Sequence, residues 1–273
     1  MPEGHTVHRH ARQLTAAFGG HPVRADSPQG RFAAGAAALD GLVVVRAEAW
    51  GKHLLVRVDA PPGADRWLHV HLGLYGKWLL GDGEPPAPRG ALRLRLLGGP
   101  PEEPRWAELR GPTACELLDD TGRAALVARL GPDPLRADAD AAAGLTRVRR
   151  SRQSVAALLM DQAVVAGVGN VYRAEVLFRA RLHPEVPGRE VQEETWTALW
   201  QDLGRLMRAG VRAGRIVTTE REHRERRTGP ARRSDAHYVY RRHGLPCRLC
   251  GTTVQVRELL GRRLYWCPSC QSR

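Results

Sequence analysis

The sequence predicts an α+β fold: an N-terminal antiparallel β-sandwich with a leading helix, then a helical domain that ends in a hairpin carrying paired cysteines. Three observations carry this reading. Apolar residues alternate with a period of two between Leu54 and Leu96, and they recur with helical spacing between Val155 and Leu206. Four of the five cysteines form two Cys-x2-Cys pairs close to the C-terminus. A length of 273 residues suits two domains, each able to bury a core without disulfide staples.

Taken in order, Val7, Ala11, Leu14 and Phe18 make a helical stripe that stops at Gly19-Gly20 and tethers the chain start. Leu54/Val56/Val58, Leu68/Val70/Leu72 (against His69 and His71) and Leu92/Leu94/Leu96 (against Arg93 and Arg95) read as half-buried antiparallel strands. Pro- and Gly-rich breaks at 61–63, 81–90 and 98–104 separate them, so residues 2–130 form the sandwich. Gly131-Pro132-Asp133-Pro134 and the Asp/Ala-rich run after it predict a linker over 131–146. Val155/Leu158/Leu159, Val176/Leu177 and Trp196/Leu199/Leu203/Leu206 give a helical domain over 147–236, interrupted by Gly167-Val168-Gly169-Asn170. Residues 221–233 hold six arginines and no large apolar side chain, and are expected to be a mobile basic loop, either solvated or in contact with nucleic acid. Residues 237–273 contain the paired cysteines.

The balance of 42 Lys+Arg against 29 Asp+Glu leaves a net charge of +13, which favours DNA, RNA or an anionic membrane as partner. No run approaches the roughly 18 apolar residues of a membrane span, and His5 to Gln13 is too polar for a signal segment, so a cytoplasmic location is expected. In that compartment five cysteines suit four metal thiolates and one spare thiol, Cys115, better than disulfides.

Cys247-Arg-Leu-Cys250 and Cys267-Pro-Ser-Cys270 fit one structural Zn²⁺ held tetrahedrally by four thiolates, with a redox disulfide pair as the other reading. Val254/Val256 and Leu264/Trp266 would alternate on the two strands of the metal-pinned hairpin. Arg262, beside Gly261 at its tip, is either solvated or placed to grip a phosphate. The turn ending in Asn170 is a plain helix connection or a phosphate site at a helix N-terminus. Lys52 stands at the start of a strand. Leu74-Tyr75, between two glycines, belongs either to the core or to a protruding wedge that enters a base stack. In Met1-Pro2-Glu3-Gly4, removal of Met1 would expose the secondary amine of Pro2 beside the Glu3 carboxylate; an α-amino group titrates near ~8, so much of it is nucleophilic at neutral pH. The tetrapeptide alone is also an ordinary chain start.

Together these motifs resemble the formamidopyrimidine-DNA glycosylase and endonuclease VIII family of base-excision enzymes over essentially the whole chain. Met1-Pro2-Glu3-Gly4, Gly51-Lys52-His53-Leu54-Leu55, Leu159-Met160-Asp161-Gln162 through Gly167-Val168-Gly169-Asn170-Val171-Tyr172 to Glu175, Tyr240-Arg241 through Cys247, and Gly261-Arg262 through Cys270-Gln271 carry it. The resemblance implies a catalytic sandwich, a helix-two-turn-helix domain and a C-terminal zinc finger. It implies Pro2 as nucleophile, Glu3 as general acid/base, Lys52 and Arg262 as catalytic and phosphate-gripping cations, Asn170 as a further phosphate contact, and Leu74 and Tyr75 as the wedge. One structural zinc on Cys247, Cys250, Cys267 and Cys270 follows, as does action on damaged duplex or single-stranded DNA in the bacterial cytoplasm, associated with the nucleoid. No sustained heptad pattern is visible, so a monomer is expected.

Where the family commonly continues Pro-Glu, this chain has His5-Thr6, so no second carboxylate carries over, and Leu264 replaces a common threonine. Gly73-Leu74-Tyr75-Gly76-Lys77-Trp78 is similar to the endonuclease VIII wedge loop, whereas Arg110-Gly111-Pro112-Thr113 departs from the Arg-x-Phe wedge of the purine-preferring branch. Oxidised pyrimidines are therefore the expected substrates, removed with β,δ-elimination. The alternatives are an oxidised-purine glycosylase, a catalytically inactive zinc-dependent lesion sensor, and an RNA-binding zinc-ribbon factor.

Overall fold

The stripe of Val7, Ala11, Leu14 and Phe18 becomes the buried face of α1 (Gly4–Phe18), and Gly19 caps the helix by donating to the Thr15 carbonyl. The structure is a computed structural model that describes residues 2–61, 63–64 and 66–273. Met1, whose removal the sequence predicts, lies outside the described residues. The chain forms two compact units, Met1–Arg129 and Leu130–Arg273.

In the first unit α1 is followed by β1 (Arg24–Asp26), α2 (Ala33–Leu39), β2 (Val44–Trp50), β3 (His53–Val58), β4 (Trp67–His71), β5 (Lys77–Asp82), β6 (Leu92–Gly98), β7 (Arg105–Arg110), β8 (Ala114–Leu118) and α3 (Asp120–Ala128). The strands build two four-stranded antiparallel sheets, ordered β1-β6-β7-β5 and β2-β3-β4-β8. Leu54, Val56 and Val70 from one sheet and Leu94, Leu96 and Leu109 from the other share a core with the apolar face of α1. Thr15 pins the helix to β2 by accepting from Ala47 N at 2.8 Å.

One feature differs from the half-buried strands expected. The centres of β3 and β4 are buried on both faces, and His69 is only 3% exposed. Across the outer face Arg123 of α3 stacks over Trp67 at 4.5 Å and pairs with Glu48, while Trp67 donates to Asp120 at 2.7 Å.

The second unit contains α4 (Ala141–Arg149), α5 (Val155–Leu158), α6 (Asn170–Arg179), α7 (Glu193–Ala213), β9 (Gln255–Leu259) and β10 (Arg262–Trp266). Residues 131–146, expected to be a linker, are packed into this unit. Gly131 N donates to the Gln162 carbonyl at 2.8 Å, Ala166 N to the Pro132 carbonyl at 3.0 Å, Asp133 is buried, and α4 begins inside the segment. A Cβ at Gly131 would meet the Ala163 carbonyl oxygen at 2.5 Å, so this glycine permits a close approach of backbones rather than flexibility.

Two small cores meet along α6. Tyr172, Val176 and Leu177 face α7 and Trp196, whereas Ala174 and Phe178 face Tyr238, Val239 and the cysteines. On β10 Leu264 enters the first core and Tyr265 the second. Val256 pairs with Tyr265, and the alternation along β10 joins the hairpin to both cores.

Candidate functional site

The anchoring of α1 fixes the position of the residues before it. Glu3 is the N-cap residue of α1, its carbonyl accepts from Thr6 N at 2.9 Å, and its side chain is fully buried at 0% exposure. A helix N-terminus favours a carboxylate through its partial positive charge. Pro2, next in the chain, is half-buried. His5, on the first turn, is buried and its imidazole is held down at about 4, chiefly by desolvation, so it is neutral at pH 7.

Lys52 lies in the two-residue turn of the β2–β3 hairpin, not in the strand as expected. Trp50 pairs with His53, and Gly51 at φ 59 takes the positive backbone angle that such a turn needs at its first position. The register then assembles a group that sequence reading missed. His53 Nδ1 and His69 Nε2 are 2.9 Å apart, and His69 Nδ1 bonds Glu116 Oε1 at 2.8 Å. His71 lies 5.0 Å from His53, ring to ring. Burial, with the neighbouring histidines, drives His53 down to about 3, and burial also lowers His71. Lys52 acts on both His53 and His71, and Arg129 acts on His53 as well, so cations add to burial in keeping these two imidazoles low. The available signal was alternation: His53, His69 and Glu116 fall on one sheet face once the strands pair.

Leu74 and Tyr75 protrude from the turn between β4 and β5, at 51% and 88% exposure. Two glycines shape that turn. Gly73 has φ 65 and a Cβ there would strike Thr113 Oγ1, while a Cβ at Gly76 would strike the Leu72 carbonyl. The β7–β8 connection, Gly111 to Thr113, is short, and Arg110 before it is engaged by the buried Glu108.

In the second unit Gln162 folds the turn that leads to α6. Its amide donates to the carbonyls of Met160 (2.9 Å) and Val168 (3.0 Å) and its oxygen accepts from Gly167 N at 3.0 Å. Asn170 opens α6 at 7% exposure. Its Nδ2 donates to the Arg263 carbonyl at 3.0 Å and its Oδ1 accepts from Arg173, so the amide is tied to β10 immediately after Arg262. Arg262 itself is exposed at the first position of β10, after the positive-φ pair Leu260 and Gly261. Asn170 and Arg262 are therefore brought to one edge of this unit. Glu175 accepts from the N–H groups of Tyr238 (2.7 Å), Val239 (2.9 Å) and Tyr240 (2.8 Å), which makes it an organiser of the segment before the cysteines.

The four cysteine sulfurs all lie within 4.8 Å of one another. Cys247–Cys270 is 3.8 Å and Cys250–Cys267 3.5 Å, close to the ~3.8 Å edge of a tetrahedron with Zn–S bonds near 2.3 Å. Burial pushes the Cys267 and Cys270 thiols up, while hydrogen bonds from Thr252 draw Cys250 down to about 6; a cation at the centre resolves that crowding of thiolates. The set fits one structural zinc ion. Cys115, by contrast, is half-buried, and desolvation pushes its thiol up to about 12, away from the reactive thiolate form.

The basic segment 221–233 is anchored rather than loose. Glu225 N and Arg226 N donate to the buried Asp235 carboxylate, Arg224 bonds Thr219, and Ala231 is buried. Arg248, between two metal ligands, pairs with Asp235 at 3.3 Å and donates to the carbonyls of Ser234 and His237. Among the described residues no helix is long and apolar enough to cross a membrane.

Comparison with known proteins places these features in context. Residues 1–115 match the model of the formamidopyrimidine-DNA glycosylase N-terminal domain, 130–222 that of the formamidopyrimidine-DNA glycosylase H2TH domain, and 244–273 that of the zinc finger found in FPG and IleRS. The chain is 48% identical to Endonuclease 8 1 of Mycobacterium tuberculosis H37Rv, covering all of both proteins. The crystal structure of the MutM (Fpg) protein of Thermus thermophilus superposes with a TM-score of 0.75 at 28% identity, over 100% of this chain and 99% of that one. Lactococcus lactis formamidopyrimidine-DNA glycosylase, non-covalently bound to DNA containing an AP site, shares the fold with a TM-score of 0.78 at 23% identity, over 99% of this chain and all of that one.

Proposed function

The chain belongs to the formamidopyrimidine-DNA glycosylase and endonuclease VIII family of DNA glycosylases, and from that premise we propose that it excises oxidised pyrimidines and cleaves the abasic site through Pro2. The observation that carries the mechanism is the pairing of a half-buried Pro2 with a fully buried Glu3 at the start of a helix anchored along its whole apolar face.

With Met1 removed, the Pro2 nitrogen attacks the anomeric carbon of the damaged nucleotide. The base departs with the electron pair of its bond, and Glu3 takes the proton released from the Pro2 nitrogen and passes it to the ring oxygen as the sugar opens, which leaves an iminium between Pro2 and that carbon. The iminium acidifies the neighbouring sugar carbon. Loss of its proton expels the 3′ phosphate, and a second proton loss farther along the sugar expels the 5′ phosphate. Lys52, exposed enough to reach a phosphate and set in a rigid turn, assists the first elimination, and Arg262 supports the second. Asn170 has one Nδ2 hydrogen left beyond its bond to Arg263 for a phosphate beside the lesion. Zinc, held by Cys247, Cys250, Cys267 and Cys270, fixes the hairpin that presents Arg262.

Two features favour pyrimidine lesions. Leu74 and Tyr75 form an exposed apolar pair suited to fill a base stack after a nucleotide is extruded, and the short Arg110–Thr113 connection carries no Phe wedge. The protein is further proposed to act as a monomer on damaged duplex or single-stranded DNA of the nucleoid, in the cytoplasm, in line with its net charge of +13.

Borohydride trapping on duplexes with an abasic site, an oxidised pyrimidine or an oxidised guanine tests this directly. The expected adduct maps to Pro2 by mass spectrometry and forms best with the pyrimidine lesion. An adduct on another residue overturns the mechanism, and preferential trapping on oxidised guanine overturns the substrate assignment.

A further inference from the structure

The second unit contains a cavity of about 560 Å³ whose lining includes four arginines, Arg215, Arg233, Arg241 and Arg242. Arginines elsewhere in this unit, such as Arg179, Arg205 and Arg257, are paired with carboxylates. Among the described residues none of the four at the cavity forms an ion pair with a carboxylate, and Arg242 donates only to the carbonyls of Tyr238 and Pro246. Four like charges line one cavity with no carboxylate in direct contact, and Glu175 and Glu225 act on Arg242 from a distance. Arg215, Arg233 and Arg241 are exposed, so an anion in the cavity would meet donors that are not already ion-paired.

Two further observations point to a ligand. His237, also in the lining, has its Nε2 atom buried with no hydrogen-bond partner. Arg241 has φ 57, a left-handed conformation unfavourable for a residue with a Cβ, and its guanidinium lies 5.5 Å from the Tyr240 ring. The strained backbone aims a planar donor group over an aromatic ring at the cavity edge. Such strain persists where the surroundings impose it and is concentrated at functional sites.

We propose that this cavity is a phosphate-binding site for the DNA backbone, gripped by Arg215, Arg233, Arg241 and Arg242 and separate from the contacts assigned to Asn170 and Arg262. It rests on the DNA-glycosylase reading above. Guanidinium groups bind phosphate oxygens through paired N–H donors, and the volume admits a phosphodiester with its sugar.

The test compares the full-length, zinc-loaded protein with an Arg215→Ala/Arg241→Gly variant. Both are titrated with a duplex bearing a reduced abasic site across a range of salt concentrations. Loss of one neutralised phosphate should lower the slope of log K against log salt by about 0.9 and weaken binding at every salt. Because glycine suits a positive φ, Arg241→Gly alone should melt no lower than the parent, which separates a binding role from a structural one. An unchanged slope in the variant, with wild-type binding intact, overturns the site and leaves the glycosylase reading standing. Wild-type protein that does not bind the duplex removes that reading and the site with it. If inorganic phosphate quenches tyrosine fluorescence in the parent but not in the variant while the DNA slope stays the same, the occupant is free phosphate and the backbone assignment is overturned.

Discussion

Asn170 Nδ2 donates to the Arg263 carbonyl at 3.0 Å, which fastens the first residue of α6 to the strand residue that follows Arg262. Because Asn170 Oδ1 also accepts from Arg173, the side chain joins helix and hairpin through both of its polar ends. Asn170→Ala should therefore cost about 1–3 kcal/mol of stability, by removing two hydrogen bonds that tie α6 to β10, although Arg173 still donates to the Arg263 carbonyl at 3.2 Å. Asn170→Asp keeps the acceptor for Arg173 but places a negative charge against a carbonyl and against incoming phosphate. It should melt closer to the parent than Asn170→Ala and bind DNA more weakly. Thermal melts and binding titrations on the two variants check this; equal DNA binding by Asn170→Asp and the parent contradicts it.

Glu3 is fully buried, so an isosteric change keeps the side chain's shape while removing its proton transfer and its charge at the start of α1. Glu3→Gln should lower single-turnover base excision by about 10²–10⁴-fold, the usual worth of a positioned acid/base group. The melting temperature should stay near that of the parent. Excision rates and melts measured side by side decide the matter, since a large loss of stability would assign Glu3 to the fold instead.

The pH dependence of stability follows from histidines that folding desolvates, His5 fully and His10 and His53 in part. Desolvation holds His5 and His10 at about 4 and His53 at about 3, against 6.5 for the ordinary imidazole. Below 6.5 the unfolded chain binds protons that the folded chain refuses, so stability is fully present above 6.5 and falls as the pH drops toward the folded values. At pH 5 each such histidine costs about 2 kcal/mol. The depressed carboxylates Asp202 and Glu220 act at lower pH, which leaves the window from 6.5 to 4.5 to the histidines. Melting temperatures should be level above pH 7 and decline through that window, with a shallower decline in His53→Gln. A flat profile between 6.5 and 4.5 is inconsistent with burial of neutral imidazoles.

How much of this was legible in the sequence depended on how cleanly apolar residues alternate with polar ones. The α1 stripe and the alternation in β3, β4 and β6 stood out because their apolar face enters the shared core, even though the opposite face of β3 and β4 is buried at its centre too. β7, Arg105–Arg110, was hidden because its buried centre includes Glu108, whose charge is compensated by Arg95 and Arg110 from other positions. Residues 131–146, including the first part of α4, were read as linker because Gly131, Pro132 and Asp133 serve a tight approach to residues 163–166 that composition cannot distinguish from flexibility. At the candidate site the cysteines were fixed by spacing and Pro2-Glu3 by order. The His53–His69–Glu116 chain and the Asn170–Arg263 bond needed strand register and tertiary contact, neither of which local pattern encodes. The basic segment 221–233 looked unanchored for the same reason: its anchors, Asp235 and Arg248, lie outside it.

That anchoring makes the metal a determinant of the basic segment. Arg248 sits between Cys247 and Cys250, and the same guanidinium reaches Asp235 (3.3 Å), the Ser234 carbonyl (2.6 Å) and the His237 carbonyl (3.1 Å). Asp235 in turn holds the N–H groups of Glu225 and Arg226. Removal of Arg248 leaves a buried carboxylate without its cation, a loss of about 3 kcal/mol that falls on the segment it supports. Arg248→Ala should speed amide exchange across 221–235 while the core of α7 stays protected, since Leu203 and Met207 pack in the helical core away from the cysteines. Chelation of zinc from the parent should reproduce the same exchange pattern, because the knuckle that orients Arg248 loses its centre. Exchange in 221–235 that rises on chelation but not in Arg248→Ala would show that the knuckle acts on the segment through some contact other than this guanidinium.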